Sequence, residues 1–558
     1  MKQSDSKNIL GISIVVAVVL IVIILVVTRL VKTGGLSSDT KKESASVSNL
    51  LKRVNYSEKT PVKGSVDFSN SSLYDELPNI EKYPLTLEDT SGDVNIEIFS
   101  SPEKAGTDAD SWLIDMAKAY NSEKHTVDGK TVSVSVRSIS SGLAADYIIS
   151  NKYVPTGFSP SNALWGSYSE IQGAKLSEVT DRMVGNTAGF LVSKNGADYS
   201  NYKDVISAVI DGKINVGYTN PLVSSTGMNL LITILSDYGN GDVGSDAATE
   251  AFASFQRNIP FVATNTIQMR DSSAKGSLDG MTMEYQSYSQ DKDLMDSYDF
   301  IPFGIRHDNP MYYCESSKGG DIKKAALKDF TEYCKSDSAQ KTATEKGFNQ
   351  NSDYKSDLNI TGKDVKTSLE IYKKEKDSGQ AIVAVFVADV SGSMNGEPLA
   401  QLKESLSNGM QYINENNYVG LVSYSSDVAI EVPVAEFDLN QKAYFQGAIG
   451  NMIAGGNTAS YNALVVAMDM IEKAKKDHPD AKTMIFLLSD GQANEGYSLD
   501  KISPTLKSLK IPIYTICYGT EADVDAMKKV SSVNEAANIQ ADSSDIVYQI
   551  KSLFNSNL

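Results

Sequence analysis

The residues best placed to do chemistry follow a continuous apolar run, Ala381–Ala388, and read Asp389-Val390-Ser391-Gly392-Ser393-Met394. A carboxylate and two hydroxyls at alternate loop positions can aim three oxygens at one point. Hard divalent cations take oxygen ligands, and Mg²⁺ wants six in a near-octahedron that usually includes waters. With no charge in the loop beyond Asp389, an ion held there would stay electrophilic towards an incoming acid. Alone, the same pattern also fits a capped strand-to-helix turn. Two distant segments extend the cation reading. Gly455-Gly456-Asn457-Thr458-Ala459-Ser460 opens a helical pattern through Leu464, Val465, Met468 and Ile471. Met484–Ser489 is a second buried-strand run, and it ends at Asp490-Gly491.

With Asp389, Ser391 and Ser393, the residues Thr458 and Asp490 complete a set that resembles the metal-ion-dependent adhesion site (MIDAS) of von Willebrand factor type A (VWA) domains, over about residues 380–555. The resemblance implies a doubly wound, mostly parallel sheet of six strands sandwiched by helices. It implies Ser391, Ser393 and Thr458 as hydroxyl ligands, with Asp389 and Asp490 acting directly or through water. The implied cofactor is Mg²⁺, with Mn²⁺ or Ca²⁺ as substitutes, and the implied partner is a protein that supplies an Asp or Glu carboxylate. The family also includes members that bind without metal and intracellular members that assemble ATPase complexes, so the motif alone does not establish adhesion.

A second set of small polar residues recurs at the ends of strand-like segments in the middle of the chain. Val94–Phe99 leads into Ser100-Ser101, Val132–Val136 into Ser140-Ser141-Gly142, and Ile214–Tyr218 into Thr219-Asn220-Pro221 and Ser224-Ser225-Thr226-Gly227. Alternating strand and helix patterns imply parallel α/β architecture, in which ligands bind at the carboxyl ends of strands. Hydroxyls at helix starts cap backbone N–H groups, and those same groups can hold an anion or polar solute. Each cluster alone fits ordinary capping, but three could converge on one cleft. Their order, with Ser159-Pro160-Ser161-Asn162 and the later Pro310-Met311-Tyr312, resembles bacterial extracellular solute-binding proteins of the type 2 periplasmic-binding fold, over about residues 93–355. That implies two lobes closing without catalysis over a small polar or anionic solute held by Ser100, Ser101, Ser140, Ser141, Asn220, Ser225 and Thr226. A cleft retained only as a rigid body for protein contacts is equally compatible.

These readings divide the chain into a short cytoplasmic tail (1–8), a transmembrane helix (9–31), a polar stalk (32–92), the solute-binding-like domain (93–360), a linker (361–379) and the VWA domain (380–558). The transmembrane expectation rests on 21 uncharged residues, Asn8–Thr28, which match the thickness of a bilayer core as a helix. This run is longer than the apolar region of a cleaved signal peptide. Residues 1–32 carry +3 of a total net charge of −18, which leaves the remainder at −21. Such acidity argues against nucleic-acid binding, which needs a surplus of Lys and Arg. Three Cys exclude a disulfide framework, although Cys314 and Cys334 are close enough in sequence to pair. His125, His307 and His478 sit in polar, turn-like sequence, where surface positions are expected. Gly239–Gly244 satisfies GxGxxG but follows a helical pattern rather than the strand a dinucleotide site requires, and is set aside. No catalytic constellation is recognised, so no enzyme is expected. The combined expectation is a single-pass bacterial surface protein with extracellular C-terminal domains. It would capture a protein through Mg²⁺. The alternative is a solute receptor whose VWA domain docks a membrane partner.

Overall fold

The computed structural model describes residues 46–66, 77–260, 262–263, 269, 278–376, 381–491, 493–518, 523–534 and 538–540. The expected transmembrane helix lies outside them. Among the described residues no helix is long and apolar enough to cross a membrane.

Two sheets build the middle domain. The first lobe has strand order β3-β4-β2-β5-β12-β6, from Thr126–Val127, Lys130–Ser138, Val94–Ser100, Gly157–Ser159, Met311–Cys314 and Leu176–Thr180. The second has order β11-β7-β10-β8-β9, from Tyr298–His307, Asn186–Ser193, Gly280–Glu284, Val216–Thr219 and Val262–Ala263. The chain crosses between lobes twice, after β6 and again between β11 and β12. The alternation in β4 does not separate core from solvent. Ser133 and Ser135 are as buried as Val132, Val134 and Val136, because Asn95 and residues 87–89 cover their face.

The C-terminal sheet runs β1-β15-β14-β13-β16-β17-β18, with β1 Tyr56–Glu58, β13 Ile382–Asp389, β14 Tyr418–Tyr424, β15 Val428–Glu436, β16 Lys482–Ser489, β17 Ile513–Cys517 and β18 Asn538–Gln540. Every residue of β13 is buried because helices cover both faces. Ile382, Ala384, Phe386 and Ala388 enter one core, and Val383, Val385 and Val387 enter the other. Only the β14–β15 pairing is antiparallel.

Three expectations about organisation need correcting. The sheet has seven strands, because β1 pairs with β15 in parallel, Tyr56 opposite Val428 and Glu58 opposite Ile430. Residues 46–66 are therefore not stalk. Val47, Leu50 and Val54 are buried in the core beneath β13. In the sequence they are three apolar residues among Ser, Lys and Asn, and the exposed edge strand shows no alternation to read. Residues 77–87 also pack on the first lobe, where Leu77 and Ile80 are buried. The expected linker, a short connection with some helix, is helical over most of its length, Gly362–Glu375, started by a capping box between Thr361 and Asp364. Its buried Val365, Leu369 and Tyr372 pack on helix Leu164–Ile171 of the first lobe and on Ser225–Tyr238 and Asp246–Arg257 of the second, so it straps the lobes together. Its charged outer face made it resemble a connection.

Candidate functional site

Four loops meet at the carboxyl ends of β13 and β16. Gly392 N–H donates to Gly456 O at 3.0 Å, and Gly455 N–H to Val390 O at 2.8 Å, tying the loop after β13 to the one before helix Ser460–Asp477. Gly456 takes a left-handed φ of 85°, a conformation that suits glycine. Thr458 is held from both sides: its N–H donates to Asn494 Oδ1 at 2.9 Å, and its carbonyl accepts from Asn494 N–H at 3.0 Å. Asp490 O accepts from Asp523 N–H at 2.9 Å.

Asp389 is fully buried at the centre. Its Oδ1 accepts from Ser391 N–H at 2.8 Å, and its Oδ2 accepts from the hydroxyls of Ser489 at 2.6 Å and Tyr424 at 3.1 Å. Ser391 Oγ lies 3.1 Å from Ser393 Oγ. Burial lifts the Asp389 carboxyl above the usual carboxylate range, the hydroxyls of Ser391 and Ser489 pull it back, and the charge of Asp490 adds to the rise. Asp490 Oδ1 is buried without a hydrogen-bond partner. Asp389, Asp490 and the adjacent hydroxyls of Ser391 and Ser393, with Thr458 on the neighbouring loop, are oxygen donors of the kind a hard divalent cation takes. Ser489 and Tyr424, which orient Asp389, were not singled out from the sequence. The apolar context of β14 and β16 gives no hint that a hydroxyl at the strand end turns inward.

The second set of predicted residues lies between the lobes, and the structure closes that cleft with the protein's own groups. Gly142 N–H donates to Val223 O of the other lobe at 3.1 Å. A Cβ at Gly142 would stand 2.5 Å from Leu222 O. Ser141 Oγ accepts from Ser161 N–H at 3.3 Å, and Asn220 Oδ1 from Leu222 N–H at 2.9 Å. Ser140 is half-buried and makes no side-chain cap, and Ser100 Oγ reaches only Ser101 O at 3.5 Å. Ser101 donates to Glu103 and accepts from the Lys104 ammonium at 2.5 Å. Thr226 Oγ1 donates to Glu284 Oε1 at 3.2 Å, while Ser225 Oγ is buried and unpartnered.

Sequence reasoning missed the groups that organise this cleft. His307, expected at the surface, is fully buried at the end of β11. Asn229 pairs with both the N–H and the C=O of Ile305, which fixes its amide orientation. Its NH₂ group and that of Asn162 therefore face His307 Nε2 as donors, at 3.2 and 3.0 Å. The imidazole proton then sits on Nδ1 and goes to Glu284 Oε1 at 2.9 Å, while Glu284 Oε2 accepts from Asn186 Nδ2 at 2.6 Å. Across the cleft, burial and the charge of Glu284 raise the Glu103 carboxyl, with Lys104 and the hydroxyls of Ser101 and Ser161 opposing. Burial pushes the Lys104 ammonium down to about 8 against the pull of both acids. All three cysteines are buried, and Cys314 and Cys334 are not joined, so the pair allowed by the sequence is not formed.

Residues 384–555 match the von Willebrand factor type A domain family, and residues 105–349 match the family described as bacterial extracellular solute-binding protein. Inter-alpha-trypsin inhibitor heavy chain H3 of Bos taurus is 29% identical over 161 residues, 27% of this chain, and the chain spans only 18% of that relative's length. A von Willebrand factor type A protein from Catenulispora acidiphila aligns with 32% of this chain and 42% of its own, at 18% identity and a TM-score of 0.29. Iron-bound HitA from Pseudomonas aeruginosa aligns with 51% of this chain and 99% of its own, at 13% identity and a TM-score of 0.38.

Proposed function

We propose that this chain, a VWA domain joined to a bacterial solute-binding domain, is an extracellular, membrane-anchored capture protein whose VWA domain holds a partner protein through a divalent cation. The carrying observation is the acid pair at the ends of β13 and β16: the buried carboxyl of Asp389, raised in part by Asp490, whose own Oδ1 has no hydrogen-bond partner. Asp389, Ser391, Ser393, Thr458 and Asp490 would hold the ion, with Mg²⁺ as the first candidate. When bound, the ion offers an open coordination position to an Asp or Glu of the partner. The chain's own part is to fix the oxygens beforehand. Ser391 N–H, Ser489 and Tyr424 lock both oxygens of Asp389, and the Gly392–Gly456 and Gly455–Val390 hydrogen bonds set the two hydroxyl-bearing loops against each other. Such preorganisation lowers the cost of ordering a site on binding.

The middle domain serves in this reading as a rigid body. Its cleft is spanned by Gly142–Val223, by the Asn162–His307–Glu284 chain and by the strap Gly362–Glu375. A buried carboxylate pair is also a poor seat for an anion, since like charges in a desolvated site repel strongly. The site end of β13 and β16 stands about 23 Å from their first residues, seven steps of strand rise away. Those first residues, Ile382 and Lys482, face the middle domain, so the proposed metal face points away from it. An N-terminal anchor through residues 9–31, with no nucleic-acid partner and no enzymatic activity, completes the proposal. Immobilised protein should capture a partner from the surface extract of neighbouring cells in Mg²⁺ and release it in EDTA, and Asp389→Ala should capture none. Capture that persists equally in EDTA would remove the metal from the account.

The buried, unpartnered hydroxyls of Ser159 and Ser225 favour a second reading, a solute receptor that opens to admit a polar ligand. A saturable solute affinity lost on Ser225→Ala would support it.

A further inference from the structure

Thr458 sits on a loop before helix Ser460–Asp477, so its place depends on what holds that loop. Two neighbouring loops do. On one side, Ser426 Oγ accepts from Asn457 N–H at 2.9 Å, and Ser425 O accepts from Ala459 N–H at 2.9 Å. On the other, Asn494 holds the backbone of Thr458, and Glu495 Oε2 accepts from Asn457 Nδ2 at 3.0 Å. The first loop joins β14 to β15, and the second leads from Asp490 towards helix Leu499–Leu509.

Each of these loops is held in turn by the segment that precedes the middle domain. Asn55 Nδ2 donates to Asp427 Oδ1 at 2.8 Å, and Asn55 O accepts from Val428 N–H at 3.4 Å. Asp427 O accepts from Ser425 N–H at 2.9 Å, which closes that turn. On the second loop, Tyr497 Oη donates to Leu50 O at 3.0 Å, while Tyr497 N–H donates to Asn462 Oδ1 at 3.0 Å. Leu50 is buried beside Val47 and Val54 in the core beneath β13, so the carbonyl that receives Tyr497 is firmly placed.

A simpler reading makes these contacts ordinary packing of an N-terminal segment, contributing stability and nothing else. Packing accounts for Val47, Leu50 and Val54, and for the Ser46 hydroxyl 2.9 Å from Thr505 Oγ1. It leaves unexplained where the polar contacts go. Among the described residues, the two side-chain hydrogen bonds that join residues 50–55 to later parts of the chain end on the two loops flanking Thr458.

We infer that residues 50–55 are a brace that positions Thr458, with Asn55 and Tyr497 as positioning residues, so that loosening the brace weakens divalent-cation binding. The inference rests on the metal reading of this face proposed above. The site is then built from both sides of the middle domain in the chain: its oxygens come from after that domain and part of their support from before it. Such support matters because a loop ordered beforehand need not be ordered by the ion.

The test compares the detergent-solubilised full chain with the double variant Asn55→Ala/Tyr497→Phe and with Ser46→Ala. None of these substitutions alters charge, so long-range electrostatics stay constant. Ser46→Ala is the control, since it removes a hydrogen bond that the same segment makes to helix Leu499–Leu509 instead. Two quantities are read. One is Mg²⁺ affinity by calorimetry. The other, in the metal-free protein, is amide hydrogen exchange by mass spectrometry in peptides covering 456–460 and 493–498, which reports local opening. The double variant should bind Mg²⁺ about threefold to tenfold more weakly, as when the net contribution of about one hydrogen bond is shifted onto binding. Exchange in those peptides should quicken by a similar factor, and Ser46→Ala should match the parent in both. Should the double variant fail to fold by circular dichroism, Tyr497→Phe alone should weaken binding about threefold. Unchanged affinity, unchanged exchange, or the same changes in Ser46→Ala would overturn the brace. A parent that binds no Mg²⁺ would instead remove the metal reading. Exchange alone would then decide: quickening confined to those peptides keeps the brace as the support of the Thr458 loop, and its absence overturns it.

Discussion

Replacing His307 by Leu removes the centre of the interlobe network while nearly conserving volume. Three hydrogen bonds are lost: Nδ1–H to the Glu284 carboxylate, and those donated to Nε2 by Asn162 and Asn229. The first involves a charged acceptor and contributes about 1.5–3 kcal/mol, and the two neutral ones about 0.5–1.5 kcal/mol each. Glu284 keeps Asn186 and Thr226 as donors, Asn229 keeps Ile305, and Asn162 keeps Ser225 O, so no group is stranded outright. The expected loss is therefore about 3–5 kcal/mol. Both tryptophans, Trp112 and Trp165, are buried in the middle domain, so tryptophan fluorescence follows that domain alone. At a urea dependence of about 2–3 kcal/mol per molar, the fluorescence midpoint should fall by roughly 1–2.5 M. His478→Leu, at a half-buried site stacked on Tyr418 of the VWA domain, should leave that midpoint unchanged. A fall under about 0.3 M for His307→Leu would mean that the network does not hold the lobes, and the rigid-body reading would lose its basis.

Leu50→Ala should destabilise the VWA domain by about 2–5 kcal/mol, seen by circular dichroism, while the tryptophan transition stays put, because Leu50 belongs to the core beneath β13. Gly142→Ala forces a Cβ against the Leu222 carbonyl and Val223 Cα, and should cost about 1–3 kcal/mol and enlarge the middle domain in small-angle scattering; an unchanged scattering profile would contradict the closed cleft. Lys104 titrates at about 8 when folded and near 10.4 when unfolded, so between these values the unfolded chain binds more protons and stability rises with pH. Between pH 8 and about 9.5 the wild-type tryptophan midpoint should gain on that of Lys104→Met, and parallel curves would show that the ammonium is not held as described.

The oxygen-bearing residues at the ends of β13 and β16 stood out in the sequence because their setting is local, two buried runs ending in acids with hydroxyls close by, and it was the family resemblance that joined Asp389, Ser391, Ser393, Thr458 and Asp490 into one set. The α/β class followed from strand and helix periods and the two-lobed form from the family resemblance, whose Pro310-Met311-Tyr312 segment falls where β12 rejoins the first lobe. The misreadings share one cause. A charged or polar residue looks the same in sequence whether water or a distant partner satisfies it. Glu103, Lys104, Glu284 and His307 gain their meaning only when segments far apart in the chain meet between the lobes. Likewise β1 exists only because β15, hundreds of positions later, offers an edge. Some helix was expected near Gly362–Glu375, but its Lys and Glu hid the packing of Val365, Leu369 and Tyr372, which keep helical spacing.

The most direct test of the central claim is calorimetric titration of Mg²⁺ into the metal-stripped protein, beside Asp389→Ala and Thr458→Ala. One saturable Mg²⁺ site is expected in the wild type, lost in Asp389→Ala and weakened in Thr458→Ala, with both variants retaining the circular dichroism of the parent. Absence of saturable binding, or binding that both variants keep at full strength, would contradict it.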